Sequence, residues 1–218
     1  MKTLRFVVPI LIASLAGCPI TPETDRDEYD STGVTIEEKS ELFVESPLNI
    51  TVFQTNDTGL QGPYGTTLWT SSGMSQDPLV SREVIARKIT GDDDAGYGLV
   101  FCHYDTGDPA VGETMLVVMI NTRCEYTVGE VIGAEFRAVV PWTGSAALSL
   151  GYNQNNTIRI EYDSVRGDFS LLLNGVAVTT FRDDEPPYHT GGADGFVVVI
   201  SPLDEFPETP VHVEFQEI

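Results

Sequence analysis

The chain has 218 residues, of which 33 are acidic and 12 are basic, and its formal net charge at pH 7 is −21. A surface this acidic repels phosphate backbones, which argues against nucleic acids as partners, and it offers no basic patch to anionic lipid headgroups. A chain of this length suffices for one domain with a substantial core.

The N-terminus has the pattern of an export signal. Lys2 and Arg5 form a short positive region, and residues 6–15 are mainly apolar. That stretch is long enough for a signal-peptide core and too short to cross a bilayer, which needs about 20 apolar residues. The LAGC tetrapeptide that follows, ending at Cys18, resembles the lipobox of bacterial lipoproteins.

The lipobox resemblance implies that residues 1–17 are cleaved off as a signal peptide and that Cys18 carries fatty acyl chains such as palmitate. Such chains would hold the protein firmly on a membrane, because each buried methylene contributes roughly 0.8 kcal/mol. The expected location is the bacterial cell envelope, either periplasmic or surface-exposed. The alternative is an ordinary cleaved signal followed by an incidental cysteine.

Residues 18–37 are acidic, contain Pro and Thr, and lack apolar periodicity. This composition predicts a flexible tether that holds the folded domain away from the membrane. In the alternative interpretation, Val34 and Ile36 already begin the first strand.

Residues 38–218 carry short runs of β-branched and aromatic residues separated by Gly, Pro, Asn and Asp. No window shows a sustained helical stripe, so these runs are predicted to be strands. Asn174-Gly175 predicts a type I′ hairpin turn, because both positions tolerate positive φ. The pattern predicts one all-β domain, a two-sheet antiparallel β-sandwich or jelly roll. The predicted strands are 48–54, 84–89, 97–104, 115–120, 125–131, 136–140, 157–162, 168–173, 176–182, 195–200 and 211–215.

Two cysteines remain besides Cys18. Cys102 is predicted inside a strand and Cys124 in a turn, which is awkward for the Cα separation of about 4.4–6.8 Å that a disulfide requires. Export nevertheless permits a bridge. Two buried thiols and one disulfide are both open at this stage.

An ordered set of motifs runs from residue 96 to residue 215. In chain order these are YGLVF, YTVG, VVPWT, NTIRI, FSLLLNG and GFVV, the last at residues 195–198. The set resembles the concanavalin A-like lectin/glucanase superfamily, in particular its laminin-G-like jelly rolls. The resemblance implies the sandwich fold, while function varies among proteins with this fold.

Glucanases of that superfamily carry paired carboxylates on one strand in an E-x-D-x-x-E pattern, and no strand here has it. The acidic clusters 92–94, 183–185 and 204–205 lie in predicted loops and are interpreted as solvated surface. A calcium site is the weaker alternative, since loop carboxylates suit Ca²⁺, and no other cofactor is indicated. A Cys102–His103 nucleophile is disfavoured, because adjacent strand residues point to opposite faces.

Sugar recognition usually needs aromatic faces together with planar polar side chains. The candidate ligand-binding residues are Trp142, Tyr188, Asn153 and Asn155. Trp142 follows a proline in a predicted loop, although it equally serves as a packing residue in this fold. Tyr188 lies in a predicted loop with prolines on one side, where a rigid scaffold commonly places function.

The leading hypothesis is a lipid-anchored envelope protein whose sandwich binds a ligand, either a glycan or an envelope or extracellular protein. One alternative is a glycan-processing enzyme, and another is a structural envelope component without a small ligand. No residue is assigned a catalytic role.

Overall fold

The computed structural model describes residues 35–72 and 80–218. The described chain forms fourteen strands and two one-turn 3₁₀ helices. None of its helices is long and apolar enough to cross a membrane. The strands are β1 (Thr35–Glu38), β2 (Phe43–Glu45), β3 (Ile50–Thr55), β4 (Thr66–Ser71), β5 (Ser81–Thr90), β6 (Tyr97–Asp105), β7 (Glu113–Ile120), β8 (Glu125–Ile132), β9 (Glu135–Gly144), β10 (Asn156–Asp163), β11 (Asp168–Leu173), β12 (Val176–Arg182), β13 (Ala193–Ile200) and β14 (Val211–Glu217).

Two sheets of seven strands each make up the domain. The first has the order β1-β4-β13-β6-β7-β8-β9 and the second has the order β12-β11-β10-β5-β14-β3-β2. All described pairs are antiparallel except β1 with β4, which is parallel. The chain is therefore an all-β two-sheet sandwich, as predicted.

All eleven predicted strands are present, and β1, β2 and β4 are additional. The Asn174-Gly175 turn is confirmed, with φ of 49° and 78° at its two positions. β1 begins at Thr35 and its Ile36 packs on the first sheet, so residues 35–37, assigned above to the tether, belong to the domain. The signal peptide, Cys18 and the rest of the tether lie outside the described residues.

The main core lies between the sheets. Alternate residues of each strand supply it, such as Leu99 and Phe101 from the first sheet and Ile158, Ile160 and Leu171 from the second. The opposite, outer face of the first sheet carries a second apolar cluster that includes Val100, Val117 and Val197. β6 and β7 are thus apolar on both faces, which explains their nearly continuous hydrophobic sequence.

Cys102 is a buried free thiol, so it is not bridged to Cys124. Burial raises the pKa of the Cys102 thiol, which makes it a poor nucleophile. Cys102 packs in the core between the sheets, whereas the neighbouring His103 stacks edge-on against Trp69 of the outer cluster. The predicted separation of the two side chains on opposite faces is confirmed.

A buried lysine closes one end of the sandwich. Lys88 follows Val84 and Ala86 on the inward face of β5 and is 1% exposed. Its ammonium group donates hydrogen bonds to the backbone oxygens of Asp92, at 2.5 Å, and Ala95, at 2.9 Å. The loop between β5 and β6 is therefore wrapped around a positive charge. Burial lowers the pKa of Lys88 to about 8, against the opposing influence of the nearby carboxylate of Asp204.

This lowered pKa predicts that stability depends on pH. Between about pH 8 and pH 10.5 the unfolded chain keeps the Lys88 proton that the folded chain releases, so stability rises with pH. From pH 7.5 to pH 9.5 the expected gain is roughly 2 kcal/mol in the free energy of unfolding. Urea denaturation of the wild type and of Lys88→Met across this range should show the gain in the wild type alone.

Lys39→Met is the matched control, because Lys39 is partly exposed and, among the described residues, forms an ion pair with Glu37 alone. It should retain the full pH dependence. If the free energy of unfolding depended on pH in the same way in Lys88→Met and in the wild type, Lys88 would not be the group responsible for the pH dependence.

Candidate functional site

A second group of buried polar residues lies between the sheets at the opposite end from Lys88. Glu130 comes from β8, where it pairs with Leu116 on the inward face, and Thr114 comes from β7. Asp183 immediately follows β12 of the second sheet, and His189 lies in the loop between β12 and β13. Both sheets and one loop therefore meet in this group, which we call the Glu130 cluster (Thr114, Glu130, Asp183 and His189).

Both ring nitrogens of His189 have hydrogen-bond partners. The hydroxyl of Thr114 lies 3.0 Å from the carbonyl of Val131 and 2.8 Å from Nε2 of His189. In the tautomer that carries its proton on Nε2, this nitrogen donates to Thr114 and the hydroxyl donates to Val131. The other ring nitrogen, Nδ1, is 3.0 Å from Oδ2 of Asp183, which also accepts the backbone N–H of His189.

Glu130 is 0% exposed. Its Oε2 lies 2.5 Å from Nη2 of Arg137, its partner across the β8–β9 pair. Oε1 lies 3.7 Å from Nδ1 of His189 and accepts no hydrogen bond from the described part of the chain. Burial raises the pKa of Glu130, although Arg137 and His189 act in the opposite direction.

Two carboxylates and one imidazole nitrogen thus converge on a small space. Their ligand atoms all lie within 4.8 Å of one another, which is a spacing that can hold a metal ion. A glycosidase would need both carboxylates open to its substrate. Because Glu130 is fully buried between the sheets, this pair does not present that arrangement.

The loop that supplies His189 also carries Tyr188. The ring of Tyr188 is 59% exposed, whereas the adjacent His189 is buried. The backbone carbonyl of Tyr188 accepts a hydrogen bond from the hydroxyl of Tyr104 at 3.1 Å. The exposed carboxylates of Asp184 and Glu185 precede it, and Glu185 forms an ion pair with Arg137. The structure therefore holds an exposed aromatic ring above a buried anchor and beside charged side chains.

The other three predicted ligand-binding residues lie elsewhere. Asn153 and Asn155 share the exposed loop before β10, and the backbone N–H of Asn153 donates to the carbonyl of Lys88. Trp142 lies within β9 rather than in a loop, half-buried against the apolar outer face of the first sheet. β9 is an edge strand, which is why it tolerates Pro141.

The prediction that Trp142 lies in a loop is therefore wrong. A side chain added at Gly96 would lie 3.2 Å from the Trp142 ring, so the ring rests on backbone there. Asn153 and Asn155 lie in one loop near Lys88, whereas Trp142 lies on the outer face of the first sheet. Tyr188 lies at the end of the sandwich opposite Lys88.

Two residues of the predicted solvated acidic clusters are in fact structural. Asp204 is buried and accepts hydrogen bonds from the backbone N–H groups of Asp92, at 2.6 Å, and Ser201, at 2.7 Å. Asp183 belongs to the Glu130 cluster. The remaining members are partly or fully exposed. Loop carboxylates are drawn inside here because backbone N–H groups and cations at the sandwich ends need acceptors.

The importance of Glu130, His189 and Arg137 was not recognised from sequence. One signal was available. In the strand predicted over residues 125–131, Tyr126 and Val128 are inward-facing, so alternation places Glu130 on the same face. A charged residue in register with core positions is unusual and marks a buried partner.

A scan against protein-family models and a search of curated proteins find no match for this chain. Solved structures do share its fold. The carbohydrate-binding module CBM66 from Bacillus subtilis superposes with a TM-score of 0.51 at 13% identity, over 80% of this chain and 96% of that one. A family 16 endo-glucanase from Bacteroides ovatus gives 0.52 at 11% identity, over 82% and 84%. The fold is a concanavalin A-like jelly roll.

The ion pair between Arg137 and Glu130 yields a stability prediction. Arg137→Met keeps the aliphatic stem but leaves a buried carboxylate without its countercharge, so we expect a loss of roughly 2–3 kcal/mol in the free energy of unfolding. Removing both charges in Glu130→Gln/Arg137→Met should cost less than the single change. Urea denaturation in buffer containing a chelator measures the free energy of unfolding of the single and the double variant.

Arg166→Met is the control for this experiment, because the Arg166 side chain is 74% exposed and its one ion pair within residues 35–72 and 80–218 is with Asp163. It should change the free energy of unfolding by less than about 0.5 kcal/mol. If Arg137→Met behaved like this control, Arg137 would not be a significant countercharge to Glu130.

Proposed function

We propose that this protein is a lipid-anchored envelope protein whose jelly-roll domain binds a glycan through the Tyr188 loop (residues 183–192). The observation that carries the proposal is the exposed ring of Tyr188 on a loop tied to the buried Glu130 cluster. Because the backbone of Tyr188 is held by Tyr104 and by the buried His189, less conformational entropy is lost when the ring stacks on a sugar, which is the general advantage of a pre-organised site.

The surroundings of Tyr188 supply the polar half of such a site. Asp184 and Glu185 are exposed beside it, and Arg137 extends from β9 to Glu185. Carboxylate and guanidinium groups are planar and can accept or donate two hydrogen bonds to neighbouring hydroxyls. The combination of one aromatic face with planar polar groups suits a carbohydrate better than an apolar ligand.

The shared fold gives further support. A carbohydrate-binding module and an endo-glucanase, both with TM-scores above 0.5, have the same sandwich as this chain. Sequence identity to both is low, so the choice of glycan and the residues that contact it rest on the geometry of this chain.

The membrane anchor is a separate part of the proposal and rests on the sequence around Cys18. The described domain begins at Thr35. Sixteen residues lie between Cys18 and Thr35 in the sequence, and an extended chain reaches at most about 3.3–3.6 Å per residue. That length allows the domain to stand clear of the bilayer surface.

Glycan binding is tested by screening the protein on a glycan array and measuring the affinity for any glycan found. Tyr188→Ala should weaken binding at least tenfold, equivalent to about 1.4 kcal/mol, because it removes the stacking face. Tyr64→Ala is the matched control, since Tyr64 is 61% exposed but lies at the opposite end of the sandwich.

Two results would count against this binding site. A silent array would remove the glycan-binding proposal. An equal loss of affinity in Tyr64→Ala and Tyr188→Ala would remove the Tyr188 loop as its location.

The anchor is tested by expressing the full chain in a bacterial host and separating its extract into detergent and aqueous phases. The wild type should enter the detergent phase, and Cys18→Ser should move to the aqueous phase because it cannot be acylated. A Cys18→Ser protein that still entered the detergent phase would refute lipidation at this residue.

A further inference from the structure

We propose that the Glu130 cluster binds one divalent metal ion of the zinc type, with Glu130, Asp183 and Nδ1 of His189 as its ligands. This proposal is independent of glycan binding. It rests on the arrangement of the three ligand atoms and on the complete burial of Glu130.

The first argument is the buried oxygen of Glu130. Nδ1 of His189 lies 3.0 Å from Oδ2 of Asp183 and 3.7 Å from Oε1 of Glu130. The tautomer in which Nε2 donates to Thr114 leaves Nδ1 with a lone pair that faces both carboxylate oxygens.

In that tautomer three electron-pair donors face one another, which is repulsive unless a cation lies among them. In the other tautomer Nδ1 donates its proton to Asp183. Oε1 of Glu130 is the deciding group. It lies beyond hydrogen-bond distance of Nδ1, so a proton held between His189 and Asp183 leaves this buried oxygen unpaired.

The second argument is spacing. A tetrahedral zinc ion with bonds of about 2.0–2.2 Å separates neighbouring ligands by about 3.3–3.6 Å. The separations of 3.0 and 3.7 Å from Nδ1 to the two carboxylate oxygens bracket that range. The two carboxylate oxygens also lie within 4.8 Å of each other, so a local movement of the side chains suffices to bring all three atoms around one ion.

The third argument is the support around the ligands. A metal-bound histidine usually donates its other ring N–H to an oxygen, and ligating carboxylates are themselves held by donors. Nε2 of His189 is hydrogen-bonded to Thr114, Arg137 pairs with Oε2 of Glu130, and the backbone N–H of His189 donates to Asp183. Each proposed ligand is thus oriented by a partner that does not occupy the metal position.

The ligand set selects the ion. One imidazole nitrogen with two carboxylates suits zinc, whereas calcium takes six to eight oxygen ligands. The two carboxylates also neutralise a doubly charged ion. A bound ion would join β8 of the first sheet, the end of β12 in the second sheet and the loop that carries Tyr188.

The test uses the untagged full chain, purified in detergent, stripped with a chelator and then dialysed against micromolar Zn²⁺. We expect about one zinc per chain by elemental analysis and a rise in the thermal midpoint on adding zinc. Asp183→Asn should weaken zinc binding at least about 100-fold, and Glu130→Gln should abolish the stabilisation.

Asp184→Asn is the matched control, because it makes the same change at the next residue, which is exposed and outside the cluster. It should bind zinc as the wild type does. Near-ultraviolet circular dichroism of each variant shows whether it is folded, and the wild-type stoichiometry decides the case if a variant is not.

Two outcomes would overturn the proposal. One is a folded wild type that retains no zinc after dialysis and shows no thermal shift, since the cluster would then be held by a proton. The other is equal weakening in Asp183→Asn and Asp184→Asn, since binding would then reflect the acidic surface. Neither outcome bears on the glycan array, which is run without added metal.

Discussion

The closure of the two ends of the sandwich is the constraint on which this structure depends. Two packed sheets bury their facing sides well but leave the ends open. The polar backbone groups of the loops at these ends need hydrogen-bond partners. Here each end is closed by an inward-facing charge, Lys88 at one and Glu130 at the other. A buried charge is costly unless it is paired, so each organises its surroundings. Backbone carbonyls collect around Lys88, and Arg137, His189 and Asp183 collect around Glu130.

These closures explain how an acidic chain positions the loops at its two ends. The loop from β5 to β6 is fixed because its carbonyls bind Lys88, and the loop from β12 to β13 is fixed because His189 is drawn inside. Tyr188 is exposed on a loop whose next residue is buried. The charges at the two ends therefore position the surface loops as well as close the core.

The sequence was informative where a signal is local. Alternation of apolar residues located eleven strands, and Asn174-Gly175 located a hairpin turn, because both signals depend on residues adjacent in the chain. The strand β2 has only three residues, too few for alternation to reveal it, and β1, with four, is predicted only in the alternative interpretation of residues 34–36. Trp142 was assigned to a loop because its proline neighbour is normally a strand breaker, and only the position of β9 at a sheet edge removes that objection.

By itself, then, the sequence determined the sandwich and predicted the export signal and the acylated Cys18, because periodicity and a lipobox-like motif are written in neighbouring residues. Tertiary structure decided which acidic residues are buried. Glu130, Asp183 and His189 come from separate parts of the chain and meet only when the two sheets pack. Their chemistry depends on distances of a few ångströms between residues far apart in sequence, and no local pattern encodes such distances.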